Sequence, residues 1–236
     1  DSDVAAGPGV PASGPIPRGS WAFDPSLQPP RFDPAAASQM LEDGGWVDRD
    51  GNGVRDREGR SLSISLGVPS DRVLLGVADR VRDNWAAIGV DVTIRAMDPL
   101  SARRLLTDHT FDAMVFDWVL SDYDPDPFPL WHSSQIDDGQ NFASWSDAET
   151  DRLLVDARRA TDRGERVALY REFQSIFARE QPALALYYPV YTYGVAAGEV
   201  GGVQTPQLVV TPADRYYNLR DWYVETETVF LEGRGQ

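Results

Sequence analysis

Between Leu62 and Trp118 the apolar residues switch repeatedly between strand and helix period, and that alternation restricts the chain more than any other feature. Leu62, Ile64 and Leu66 alternate as in a strand, and behind Asp71 the residues Leu74, Val77, Val81, Trp85 and Ile88 recur at helical spacing up to Gly89. Val90, Val92 and Ile94 return to the strand period, and a short helix is predicted near Leu100 to Leu106. Phe111 to Trp118 then reads as a third strand, apolar on both faces. A β-α-β-α-β order favours an α/β sheet with right-handed crossovers, whose ligands gather at the carboxyl ends of the strands. In this chain that end is the loop after Trp118.

The flanks are of different character. Residues 1–32 are rich in Pro, Gly, Ser and Ala with isolated aromatics, which reads as an extended linker ordered only by contacts outside itself. Asp33 caps a helix with Pro34 at its first position, running to Gly44-Gly45, and a polar loop continues to about Arg60. Past the sheet, Ser146-Asp147-Ala148-Glu149 reads as a capping box and Asp162 with Glu165 opens a second helix. Leu184 to Val195 is strand-like and rich in tyrosine, and the segment ending in Asn218 to Trp222 is expected to add a last extended piece. The resulting division is a linker at 1–32, an α/β lobe at 33–200 and a tail at 201–236.

Composition excludes some functions. The 236 residues carry 22 basic and 37 acidic side chains, a net charge of −15, which repels nucleic acid and anionic membranes alike. Every basic residue apart from the two histidines is Arg. Without cysteine there is no disulfide, thiolate site or cysteine nucleophile. The longest apolar stretch, Ala183 to Ala197, is broken by Pro189 and tyrosines and is shorter than the roughly 20 residues a spanning helix needs. The first residues show no basic region followed by an apolar core, so an export signal is not expected within this sequence.

Four local patterns add to the element order: Gly14-Pro15-Ile16-Pro17 before Phe32-Asp33-Pro34; Gly45-Trp46 with Asp48 and Asp50-Gly51; Phe111-Asp112 leading to Trp118 and Asp124-Pro125-Asp126; and Asn141, Trp145, Asp151-Arg152-Leu153-Leu154, Leu169-Tyr170 and Gln181-Pro182. In these the chain resembles the family 5 (oligopeptide, dipeptide and nickel type) solute-binding proteins of ABC importers, over nearly its whole length. The resemblance implies a type II periplasmic-binding-protein lobe, with a mixed sheet of about five strands and helices on both faces. It implies the C-terminal lobe of a two-lobed clamp, with the N-terminal lobe of the same protein, a peptide or other small solute, and an ABC transporter permease as partners. The 201–236 tail would return toward that N-terminal lobe. The implied location is extracytoplasmic, with any lipid anchor outside this segment, and no catalysis or required cofactor is expected.

On that resemblance the candidate substrate-binding residues are Trp118, Ser121, Asp122, Tyr123 and Asn141. In peptide-binding members an Asp shortly after the Trp pairs with the ligand's ammonium group, and in a desolvated cleft such a pair is stronger than in water. Aligned on Asp124-Pro125, this sequence has Ser121 at that position and Asp122 one residue late. The plain alternative is a solvated Asp-Pro turn.

Asp48, Asp50, Asn52, Val54 and Asp56 occupy positions 1, 3, 5, 7 and 9 of a calcium loop, with Gly53 following Asn52 and Gly51 inside it. Position 12 is Gly59 where a Glu normally closes the site, so any calcium held here would be structural; the alternative is an acidic hairpin. His109 and His132 lack partners at ligand or triad spacing and are expected at the surface. Trp131, Tyr187, Tyr188, Tyr191 and Tyr193 either line a cleft or fill a sheet face. Arg158, Arg159, Arg163 and Arg166 are expected in solvated i,i+4 pairs. Two rival readings are a metal-dependent hydrolase using the carboxylates from Asp117 to Asp126 and a calcium-binding structural module. The first lacks the phosphotransferase-type Asp-x-Asp directly after the strand, since Asp117 is followed two residues later by Val119, and it lacks any Lys; the second has one loop where it needs several.

Overall fold

The computed structural model describes residues 9–119, 122–196 and 198–224. Strand β1 (Gly9–Pro11) leads through an irregular stretch into α1 (Pro34–Asp43). A hairpin of β2 (Asp56–Arg57) and β3 (Arg60–Ser61) delivers the chain to β4 (Ser63–Pro69), followed by α2 (Arg72–Ala86), β5 (Asp91–Met97), α3 (Pro99–Thr107) and β6 (Ala113–Met114). Then come a single turn, α4 (Phe128–Trp131), and the helix pair α5 (Ala148–Arg159) and α6 (Arg163–Glu180). Strands β7 (Tyr187–Pro189), β8 (Val200–Gly201) and β9 (Tyr223–Val224) end the described chain.

The main helices start where an aspartate can accept orphaned amide protons. Asp33, Asp71, Asp98 and Asp162 each accept a bond from the first helical turn. For α5 the cap is Asp147, whose Oδ1 takes the Thr150 amide at 2.7 Å, one residue beyond the expected Ser146.

β5, β4 and β6 form the parallel sheet in that order, with β4 central. Its long register runs from Ser63 opposite Asp91 to Pro69 opposite Met97, whereas β6 matches only Leu66 and Gly67. The expected sheet of about five strands is thus divided, since the remaining strands pair as separate antiparallel ladders: β1 with β7, β2 with β3, and β8 with β9. The predicted strand from Phe111 to Trp118 is also shorter. One more bond, Val115 N–H to the Gly67 carbonyl, prolongs it before Phe116 and Trp118 leave the sheet to pack on other aromatic rings. A Cβ at Gly67, opposite β6, would meet the Met114 sulfur and oblige that side chain to move.

Two cores result. Leu66, Val68, Val77, Ala78, Val90, Val92 and Val115 pack α2 on the sheet. Trp131, Leu153, Leu154, Tyr170, Phe173, Ile176 and Phe177 pack α4, α5 and α6 together. The segment read as a linker contributes to this second core: Ile16 is 2% and Ala22 0% exposed. Contacts outside the segment hold it there. The Gln174 amide donates to the Ala22 carbonyl at 2.9 Å and accepts from the Asp24 amide at 3.3 Å. The Tyr188 hydroxyl bonds the carbonyls of Gly14 and Ile16.

Candidate functional site

The chain leaving β6 becomes a row of stacked aromatics. Phe116 meets Trp118 edge-on at 4.6 Å and Phe142 at 5.8 Å. Trp118 leans on Trp131 at 5.1 Å, and Trp131, 1% exposed, stands edge-on against Phe177 of α6 at 4.7 Å. Trp118 is therefore a half-open ring, 36% exposed, on a base anchored in the helical core. Such a wall desolvates a ligand at little entropic cost because its own rotamers are already fixed. Trp131, considered above for a cleft, belongs instead to the core.

Beyond Trp118, Ser121 lies outside the described residues. Asp122 accepts a bond from the Asp124 amide at 3.2 Å, a local turn contact that leaves its charge exposed. Tyr123 is 51% exposed, and the neighbouring Asp214 carboxylate pushes its phenol up. Asp214 is held down at about 2, first by the Thr211 backbone amide and then by Tyr123.

The other two carboxylates of this loop are engaged. Arg158 of α5 grips Asp126 with Nε and Nη2 at 2.6 to 3.1 Å, its guanidinium 3.7 Å over the Phe128 ring. Arg166 of α6 pairs with Asp124 at 3.0 Å and lies over Trp21 and Tyr170. The Tyr170 hydroxyl completes the set by donating to the Pro125 carbonyl at 2.9 Å. These arginines were expected in i,i+4 pairs, a role that Arg152 fills with Asp156. Their real partners lie 32 and 42 positions away, a distance no local spacing could reveal. Among the described residues no ion pair reaches Asp122.

Asn141, expected at the ligand surface, is 0% exposed. Its amide donates to the carbonyls of His132 and Trp145 at 3.2 and 2.8 Å and accepts from the Trp145 amide at 3.1 Å. Its whole side chain thus shapes the turn that seats Trp145. The two histidines are structural as well. His109 bridges the carbonyls of Ile136 and Phe142, and His132 accepts the Ser134 amide while stacking on Phe128 at 4.1 Å.

The acidic loop is held by its own side-chain-to-backbone bonds. Asp48 accepts the amides of Gly51 at 2.8 Å and Gly53 at 3.0 Å, and these bonds lower its pKa, Gly53 most. Asp50 takes the Asn52 amide and Asn52 takes the Val54 amide. Asp56 sits in β2 with its carboxylate on Arg49 at 2.6 Å. Among the described residues no three His, Cys, Asp or Glu side chains are grouped to hold a metal, and this includes the described carboxylates from Asp117 to Asp126.

A concavity of about 620 Å³ lies among the tail residues and is lined by Tyr193, Arg215, Tyr216, Leu219, Trp222 and Tyr223. The segment expected to be extended is here two 3-10 turns, Pro212–Tyr216 and Leu219–Asp221, before β9. Tyr191 bonds Arg215 at 2.8 Å, and the Asn218 side chain ties Gly202, Gln204 and Trp222 together.

Comparison with known proteins agrees with this architecture. The family model for bacterial extracellular solute-binding proteins, family 5 Middle, matches residues 2–140. The oligopeptide-binding protein AppA of Bacillus subtilis is 33% identical over 175 residues, covering 72% of this chain and 32% of that protein. Di/tripeptide-binding protein 2 of Pseudomonas aeruginosa is 31% identical over 185 residues, 76% of this chain and 33% of its own length. The structure of Bacillus subtilis AppA in complex with a nonapeptide superposes with a TM-score of 0.75 at 28% identity, over 95% of this chain and 44% of that one. Solved structures of this fold type also include the unliganded murein tripeptide-binding protein MppA, at a TM-score of 0.75. The chain therefore spans about a third of the curated relatives it matches. With the family model matching more than half of its residues, an α/β lobe of the periplasmic-binding-protein type, and the extracytoplasmic setting that the family's name states, this chain belongs to the family 5 bacterial extracellular solute-binding proteins.

Proposed function

We propose that the protein to which this chain belongs is the substrate-binding component of an ABC importer, capturing peptides or a related small solute without catalysis. This chain would supply the C-terminal wall of the cleft, the N-terminal lobe the opposite wall, and closure would present the loaded form to a permease. The observation that carries the reading is the 33% identity with an oligopeptide-binding protein, in a chain whose post-strand loop exposes Trp118, Asp122 and Tyr123. An aromatic wall with a carboxylate that has no ion pair among the described residues suits a peptide, whose flank is apolar and whose amino end is cationic.

A metal-dependent hydrolase is disfavoured because Asp124 and Asp126 already neutralise Arg166 and Arg158. A calcium-dependent structural role is disfavoured because Asp56 is paired with Arg49 and Gly59 stands where a closing Glu is needed. The deciding experiment is to purify the intact protein gently, denature it and identify released small molecules by mass spectrometry. A stoichiometric peptide is expected. A non-peptide solute would keep the transport reading and discard the ammonium contact, whereas an empty protein that binds nothing across a broad ligand panel would discard both.

A further inference from the structure

We propose that Arg158 and Arg166 are positioning residues for the ligand loop, holding its Asp124-to-Phe128 end on the helix pair so that Asp122 and Tyr123 are presented in one geometry. The proposal rests on the peptide-capture reading for what the loop does, and on contacts of this chain alone for what holds it. Those contacts reach four of the five residues from Asp124 to Phe128 and come from two helices. Arg158 is bidentate to Asp126 and stacked on Phe128, Arg166 pairs with Asp124, and Tyr170 bonds the intervening Pro125 carbonyl. Arg166 itself lies over the rings of Trp21 and Tyr170, with its Nη2 3.3 Å from the Tyr170 hydroxyl. An exposed ion pair in isolation contributes little, but a forked, stacked and shared one restrains geometry. Pro125 and Pro127 restrict the same five residues from within.

The arrangement also sorts the loop's charges. Asp124 and Asp126 are each matched by an arginine, so Asp122 is left as the carboxylate that faces solvent without one among the described residues. Breaking a pair therefore has two separable effects, a looser loop and a changed local charge. The two single substitutions that break the Arg158 pair change that charge in opposite directions, which makes them a discriminating test.

Arg158→Gln, Asp126→Asn, their double variant, Arg158→Lys and Arg166→Gln would be made in the intact protein. Tetra-alanine affinity would be measured by calorimetry, loop order by hydrogen exchange over residues 122–128, and stability by thermal unfolding. Positioning predicts that Arg158→Gln and Asp126→Asn each weaken binding roughly tenfold, and that the double variant is no weaker than the worse single. Arg158→Lys should recover part of the loss, keeping the charge without the fork. Exchange over 122–128 should rise in each glutamine or asparagine variant, Arg166→Gln included, while Tm moves by less than about 3 °C. Tightening by Arg158→Gln with weakening by Asp126→Asn would mean that local charge acts instead, and would overturn the proposal. Unchanged affinity or unchanged loop exchange would overturn it too. If wild-type protein fails to bind tetra-alanine, the peptide reading loses its support while the exchange data still decide whether the arginines hold the loop.

Discussion

Asn141 illustrates how a polar residue close to a candidate site can serve the backbone alone. Its three hydrogen bonds are made in a site from which water is excluded, so removing the amide strands the carbonyl and amide proton of Trp145 and leaves the His132 carbonyl with its bond from the Gln135 amide. Asn141→Ala should cost about 2–4 kcal/mol of stability, read as a lower urea midpoint with an unchanged m-value. Ligand affinity of the variant, measured well below its unfolding transition, should stay near that of the wild type; a large affinity loss at native stability would return Asn141 to the ligand surface. The sequence could suggest that Asn141 matters, but not for which partner. The same limit applies to Arg158 and Arg166, whose helical neighbours supplied plausible acids while their actual partners wait across a loop. Local spacing predicts i,i+4 geometry and is blind to pairs that exist only after two elements have docked.

Among the elements, the helices were legible because their signals are local. Asp33 and Asp162 cap where the sequence places them, α2 starts directly behind Asp71, and its apolar face from Leu74 to Ile88 meets the sheet as its spacing requires. Strand β6 was overread because aromatic residues at its far end gain more from stacking on Trp131 and Phe142 than from a ladder that β4 no longer extends. The Pro- and Gly-rich start misled in another way: composition reports the missing regular structure, not whether a segment is buried. Ile16 and Ala22 complete the core between α5 and α6, and Gln174 satisfies the backbone that regular structure would otherwise have paired. Ile16→Ala should therefore destabilise by about 2–4 kcal/mol, the range for a buried aliphatic truncation. A solvent-exposed control in the same segment, Gln28→Ala, should change the urea midpoint little. Equal, negligible effects at both positions would show that the segment does not belong to the core.

At the scale of the molecule, what matters is how much of a clamp one wall can be. The ring of Trp118 and the Asp122 carboxylate stand open to water, and the aromatic concavity around Tyr193 and Trp222 is open as well. A peptide laid on such a face would lose only part of its hydration, so the charge pair would act in high dielectric and contribute little. The same groups enclosed by an opposing wall would act in a drier, less polarisable space, with most of the ligand surface buried. Binding linked to the folded state raises stability by RT ln(1 + [L]/Kd), about 2.7 kcal/mol at a hundredfold excess over Kd. The intact protein should thus show a Tm that climbs with the logarithm of tetra-alanine concentration, whereas the 236-residue chain by itself should show no resolvable shift over the same range. Differential scanning fluorimetry on both proteins makes the comparison directly. Parallel, equal shifts would mean that this lobe holds the complete site and that the two-walled clamp is the wrong picture of it.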